Sequence, residues 1–269
     1  MADSDKKREG TRWSYSRVSC FKQCKYEYYL NYILNDPEQY LAEGNYYAEV
    51  GSYAHEILAM IFRGELKKED AAVYFIDHFD DNVFYQASQT SMDNAYNGCL
   101  SYFENEDFKW LDQYEILGVE KECRFKIKKF EFIGIIDLLL RDKQTGTLVI
   151  LDHKSAQYPL KKDGITVKKN SEHSFESYKR QMYLYCHAVK EEYGEFPSSI
   201  IWNHFKDGGL LAKIPFRMNE YADTIKWFEN AIKEAAKEKK FEPSPDYFYC
   251  RNLCNFRNSC EYVNSGGDS

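Results

Sequence analysis

Two aspartates and a lysine interrupt the most apolar stretches of this chain. Asp137 stands inside Ile133-Gly134-Ile135-Ile136-Asp137-Leu138-Leu139-Leu140, and Asp152 follows Leu148-Val149-Ile150-Leu151 and opens the triplet Asp152-His153-Lys154. A carboxylate in such a run is costly to bury unless it is paired or bound to a cation. Either acid alone could be a strand end or a satisfied hydrogen bond, and D-x-K arises often by chance; two interruptions on neighbouring strands point to a functional site. Side chains alternate along a strand, so Asp152 and Lys154 share one face while His153 points away. If the strands pair through the turn signal Asp142-Lys143-Gln144-Thr145-Gly146, Asp137 lies near Asp152 at one end of the hairpin. Two converging carboxylates form an oxygen-rich site suited to Mg2+ or Mn2+. The lysine could hold an attacking water or neutralise charge developing on a phosphate.

Three further features carry donor groups. Gly51-Ser52-Tyr53-Ala54-His55 puts a histidine inside a helical pattern, and Gln181-Met182-Tyr183-Leu184-Tyr185 puts two polar side chains four apart, on one helical face. Cys250, Cys254 and Cys260 fall within eleven residues of one another, after Pro243 and Pro245. A cytosolic, reducing setting makes disulfides an unlikely use of eight cysteines, so the clustered thiols ask for a metal, and thiolate sets suit zinc as well as iron. Cys20, Cys99, Cys123 and Cys186 read as buried small hydrophobes.

The elements that must position these groups follow from periodicity. Ser14 or Ser16 can cap a helix over 14–35; a second helix covers about 43–62; two more lie near 68–84 and 92–112. Strands are expected over 114–122, 123–128, 130–141 and 147–154, then a lysine-rich mobile loop over 160–174, a helix over 175–192, a hairpin of 200–205 and 210–216 around Gly208-Gly209, and a helix over 219–239. This order implies an α/β fold, a central sheet flanked by helices, in a single domain over 1–269. Its parts are a flexible start (1–13), a helical region (14–113), a sheet core (114–216) and a C-terminal helix with the cysteine segment (217–269).

At 43% hydrophobic and 17% aromatic residues the chain has material for a sizeable core. Its apolar runs are too short for a membrane span and its first twelve residues are polar, so a cytoplasmic protein without membrane partners is expected. The net charge of −7 argues against coating nucleic acid by bulk attraction. Local lysine patches remain compatible with phosphate contacts.

The stretch GIID…LDHKS resembles the core of PD-(D/E)XK nucleases, and G-x-x-x-H at His55 with Q-x-x-x-Y at Gln181 and Tyr185 resembles the RecB-type branch. The late cysteine trio, with Cys24 as the isolated early one, is similar to the iron–sulfur arrangement of the AddB nuclease domain and the CRISPR-adaptation exonucleases. The spacing here is C-x3-C-x5-C where that pattern has C-x2-C-x5-C. The resemblance implies a restriction-endonuclease-like core whose N- and C-terminal segments meet at a [4Fe–4S] cluster on Cys24, Cys250, Cys254 and Cys260, with zinc as the alternative. It implies a metal site of His55, Asp137, Asp152 and the His153 carbonyl, catalysis by Asp137, Asp152 and Lys154 with Gln181 and Tyr185, and DNA contacts by Lys161, Lys162, Lys168, Lys169 and Arg180. The expected function is metal-dependent DNA hydrolysis, on single strands or DNA ends, in recombination, repair or DNA processing. A helicase, a recombinase or a CRISPR-adaptation complex is left open as a partner. The alternatives are a nuclease-like module that only binds DNA or protein, and a zinc-stabilised interaction protein.

Overall fold

The aliphatic runs between 114 and 154 form the first three strands of a five-stranded sheet in the computed structural model, which describes residues 12–34, 42, 44–244 and 246–263. Strands β1 (Tyr114–Ile127), β2 (Phe130–Asp142), β3 (Leu148–Lys154), β4 (Ser199–His204) and β5 (Leu210–Pro215) lie in the order β1-β2-β3-β4-β5. β2 and β3 pair antiparallel with Leu138 opposite Leu151, β3 and β4 pair parallel, and β4 and β5 pair antiparallel. A parallel pair needs a long crossover. The helix Glu172–Tyr193 between β3 and β4 supplies it.

In chain order the helices are α1 (Tyr15–Gln23), α2 (Lys25–Tyr29), α3 (Tyr46–Arg63), α4 (Ala71–Asp77), α5 (Phe79–Asn82), α6 (Gln89–Asn105), α7 (Glu172–Tyr193), α8 (Met218–Lys237) and α9 (Tyr247–Asn252). This is an α/β fold of the restriction-endonuclease-like kind, a mixed sheet flanked by helices. No helix among the described residues is long and apolar enough to cross a membrane.

The chain divides into two compact units: Tyr46–Phe125 with Ile133–Thr224, and Met1–Asn45 with Lys126–Phe132 and Ile225–Ser269. In the first, the apolar stripe of α3 (Val50, Tyr53, Ala54, Ile57, Leu58) packs on Phe75 of α4, on Cys99, Tyr102 and Phe103 of α6, and on Phe205 after β4. The stripe recurs every three to four residues, which is why this stretch is a helix with one buried face. Leu138, Leu140, Val149, Leu151 and Ile201 form a second cluster on the sheet. Phe175 of α7 meets Trp202 of β4 edge-on at 5.0 Å.

In the second unit, Ser14 caps α1 by accepting from the Arg17 N–H at 3.1 Å. Trp13 bridges to Phe132, and the Arg17 guanidinium lies over the rings of Trp13 and Tyr32 at 5.1 and 4.6 Å. Lys22 pairs with Glu234 of α8 at 2.9 Å, and Lys25 with Glu238, the residue after that helix, at 2.6 Å.

Several expected elements differ. The helix predicted over 14–35 breaks at Cys24, whose extended backbone separates α1 from α2, and its last turn, Leu30–Leu34, is π-helical. The strands predicted over 114–122 and 123–128 are one strand, with Glu120 at a φ of 47° inside it. The helix predicted over 68–84 is a 3-10 turn followed by α4 and α5, and α9 was not foreseen. The expected mobile loop contains a built turn: Leu160 bridges to Val167, and the Asp163 carboxylate accepts from the Ile165 and Thr166 N–H groups at 2.9 and 2.8 Å.

Trp202 of β4 is completely buried. Trp202→Ala is expected to cost about 3–5 kcal/mol of folding free energy, in the range of large-to-small aromatic truncations, measured by urea denaturation.

Candidate functional site

Extending the β2–β3 register by one pair beyond Leu138 and Leu151 sets Asp137 opposite Asp152. Both side chains are largely buried. The His153 N–H donates to Asp137 Oδ2 at 2.7 Å, which fixes the carboxylate against the neighbouring strand. Burial, and then the charge of Asp152, push the Asp137 carboxyl well above the usual carboxylate range. Two acids in one desolvated corner are tolerated only with positive charge supplied beside them.

Part of that charge comes from Lys154, two residues along β3, whose Nζ lies 2.7 Å from Asp152 Oδ2. Burial alone would lower the lysine, but Asp152 and then Asp137 outweigh it, so the ammonium form is favoured. Lys154 Nζ also donates to Gln181 Oε1 at 3.1 Å and sits over the Tyr178 ring at 4.9 Å. Gln181 Nε2 in turn donates to the Tyr185 hydroxyl at 3.3 Å. The two residues four apart on α7 thus share a face, and that face meets Lys154.

α3 brings His55 to the same place, its Nδ1 3.4 Å from Asp137 Oδ2. Burial lowers its pKa, which leaves the ring neutral and able to offer a lone pair. The His153 side chain points the other way, as alternation requires. It is buried flat against Phe62, with Nδ1 3.0 Å from the Asn203 Nδ2, which also donates to the Tyr102 hydroxyl at 2.7 Å.

Sequence reasoning missed Glu120. One ligand atom each from His55, Glu120 and Asp137 lie within 4.8 Å of one another, the geometry of three groups able to hold one cation. Burial raises the Glu120 carboxyl, with Arg63 opposing. Its left-handed backbone is unusual for a residue other than glycine inside a strand. Nothing in Gly118-Val119-Glu120-Lys121-Glu122 distinguishes this acid from its exposed neighbour, because the signal is conformational. His55, Glu120 and Arg63 line a cleft of about 680 Å3, with Gly51, Ser52 and Tyr47 along its α3 side.

The expected DNA-contacting residues are more dispersed. Lys161, Lys162 and Lys169 are exposed, Lys168 is tied back to the Tyr158 carbonyl at 2.6 Å, and Arg180 lies 3.6 Å from Glu176.

In the other unit, Cys24, Cys250, Cys254 and Cys260 line one small cavity together with Glu27, Tyr249 and Phe256. All eight cysteines are free thiols. Burial pushes Cys254 up to about 12 and also raises Cys260. The Phe256 N–H donates to Cys254 Sγ at 3.4 Å, and the buried Glu27 carboxylate accepts from the Tyr249 hydroxyl at 2.9 Å. Of the four cysteines expected to be plain buried side chains, Cys99, Cys123 and Cys186 are, and Cys20 is partly buried.

Gly134 on β2 had no assigned role, and the structure supplies one: a Cβ there would stand 2.5 Å from Tyr185 Cε1. Gly134→Ala is expected to destabilise the protein by about 1–3 kcal/mol through overpacking. Adding Tyr185→Ala should recover part of that loss, so that the double variant in urea denaturation is more stable than the sum of the singles.

The profile of the PD-(D/E)XK nuclease superfamily matches residues 12–261. Among solved structures, a "putative exonuclease" from Eubacterium rectale is similar in fold, with a TM-score of 0.52 and 15% identity over 90% of this chain and 87% of that one. No curated protein matches. The family match spans nearly the whole sequence and includes every residue of the acidic cleft and all four cavity cysteines: the chain belongs to the PD-(D/E)XK nuclease superfamily.

Proposed function

We propose that this protein is a divalent-metal-dependent deoxyribonuclease of the RecB-type branch, acting as an exonuclease on single strands or DNA ends. The observation that carries this reading is the convergence of His55, Glu120 and Asp137 within 4.8 Å, next to the Asp152–Lys154 pair. A neutral imidazole with carboxylates is a donor set that Mg2+ and especially Mn2+ accept. The raised carboxyl of Asp137 supports the same reading, since two buried acids gain most from a bound cation. His55, Glu120, Asp137, Asp152 and the carbonyl of His153 would hold it.

A bound Mg2+ or Mn2+ supplies Lewis-acid polarisation of the scissile phosphate and a more acidic water. The remaining work falls to the chain. Water oxygen bonds to phosphorus and releases a proton to solvent, the bond from phosphorus to the 3′ oxygen breaks, and that oxygen takes a proton from solvent, leaving a 5′-phosphate and a 3′-hydroxyl. Lys154, held as an ammonium by Asp152, donates hydrogen bonds to the phosphoryl oxygens as their charge grows. Gln181 aims Lys154 by accepting from it, and Tyr185 holds Gln181. Lys161, Lys162, Lys168, Lys169 and Arg180 guide the strand. The protein would serve recombination, repair or DNA processing, alone or with a helicase, a recombinase or a CRISPR-adaptation complex.

The four cavity thiols fit a [4Fe–4S] cluster, with a structural Zn2+ as the alternative occupant of the same residues. Four sulfurs on one enclosed cavity, one already accepting a backbone N–H, match the thiolate ligation and N–H···S bonding of such clusters.

Three measurements test these assignments. Asp152→Ala and Lys154→Ala are each expected to lower cleavage of end-labelled single-stranded DNA with Mn2+ by at least about 10^3-fold, on the scale of lost transition-state charge stabilisation; full activity in either rejects the site. In divalent-free buffer Asp137→Asn is expected to raise Tm, because it removes one of two facing buried charges, and to abolish the Tm gain that Mn2+ gives the wild type. Anaerobically purified protein is expected to be brown with about four irons per chain, and Cys250→Ser to lose the colour and the iron; colourless protein with one zinc selects the alternative.

A further inference from the structure

The loop after α5 carries a feature that cleavage chemistry does not use. Phe84 is 72% exposed and Tyr85 36%, yet their backbone is fixed: both N–H groups donate to Glu49 Oε2 on α3, at 2.8 Å each. Two large rings are thereby held at the surface on a rigid support. With Tyr46, Phe79 and Tyr96 they wall an open hollow of about 350 Å3, within the range of small-molecule sites. Phe79 and Tyr96 meet edge-to-face at 4.7 Å, forming its fixed side.

Beside the tyrosine hydroxyls, the polar side chains around the hollow are Asp80, Gln86, Gln89, Asp93 and Asn97, and none of the described lining residues is a cation. Gln89 Nε2 already donates to Asp93 Oδ1 at 2.8 Å, and the Tyr46 hydroxyl to the Met92 carbonyl at 3.1 Å. Aromatic faces with amides and carboxylates do not suit a phosphate inside the hollow, which would need positive charge there. They suit a flat, uncharged, hydrogen-bonding ring: amides pair with adenine edges and carboxylates accept from the cytosine amino group. Stacking on exposed rings is the usual way unpaired bases are held.

The hollow adjoins the cleft. Tyr46 lines the hollow and Tyr47 the cleft, their rings 5.9 Å apart, and Tyr47, Gly51 and His55 follow at four-residue steps along α3. Eight residues of helix span about 12 Å. We propose that the hollow receives one unpaired, amino-bearing base of a DNA single strand whose backbone passes along α3 to His55. The proposal rests on the nuclease reading for the course of the strand, and names what makes the substrate single-stranded: a paired base cannot enter.

The test is binding, in buffer without added divalent ion so that no strand is cut. The full chain is titrated into a fifteen-nucleotide DNA single strand carrying 2-aminopurine, and separately into a blunt hairpin duplex. The wild type is expected to quench 2-aminopurine fluorescence. Phe84→Ala and Tyr85→Ala are expected to weaken single-strand binding by about 5- to 150-fold and to leave duplex binding unchanged. Asp93→Asn is expected to reduce the preference for dA and dC homopolymers over dT. Phe84 is exposed, so an unchanged Tm of Phe84→Ala shows that the fold is intact. Unquenched fluorescence, or equal affinity in Phe84→Ala and the wild type, overturns the proposal even if Asp152-dependent cleavage is found. Quenching that depends on Phe84 in a protein that cuts no DNA upholds the base site and rejects the nuclease reading instead.

Discussion

Two carboxylates held face to face across adjacent strands, away from water, set the terms for the sheet unit. Asp137 and Asp152 repel, and burial strengthens the repulsion because it removes the solvent that would screen it. Their neighbourhood is therefore built of compensations. Lys154 neutralises one charge, the His153 N–H satisfies one oxygen, and a neutral His55 with Glu120 completes a ring of donors whose natural counterpart is a cation.

That arrangement tolerates little play, and the layers behind it remove play. On one side Lys154, Gln181 and Tyr185 form a chain of hydrogen bonds from β3 to α7, and Gly134 has no side chain because the Tyr185 ring occupies that space. Behind β3, His153 is fixed by Phe62 and by Asn203. Sites placed on strands and supported by a second layer of contacts hold their geometry better than sites on loops. Register matters equally, since a one-residue slip of β3 would turn both Asp152 and Lys154 to the opposite face.

The second unit meets a different constraint. Cys24 and the late trio are separated by more than two hundred residues, so any group they share closes a very long loop and restricts the unfolded chain accordingly. The break between α1 and α2 falls at Cys24 itself. An unbroken helix would carry that thiol onward with the helix surface; the extended residue presents it to the cavity that Cys250, Cys254 and Cys260 also line.

Much of this was legible in the residue order. The acid-interrupted strands, the D-x-K triplet, the histidine of α3, the Gln–Tyr pair on α7 and the clustered thiols are local patterns, and a strand or helix period translates them directly into faces. The sheet class followed from the same periods, as did the hairpin at Gly208-Gly209. Other features were not legible. Glu120 is one acid among several in a charged strand, chosen by a positive φ; Gly134 is chosen by a ring on a helix fifty residues away; and Phe84 and Tyr85 are ordinary aromatics until Glu49 pins their loop. Local periodicity determined which side chains could do chemistry. Which of them meet was decided by contacts between distant segments, because a backbone kink, a steric vacancy and a carboxylate crossing from one element to another leave no trace in the spacing of residues along the chain.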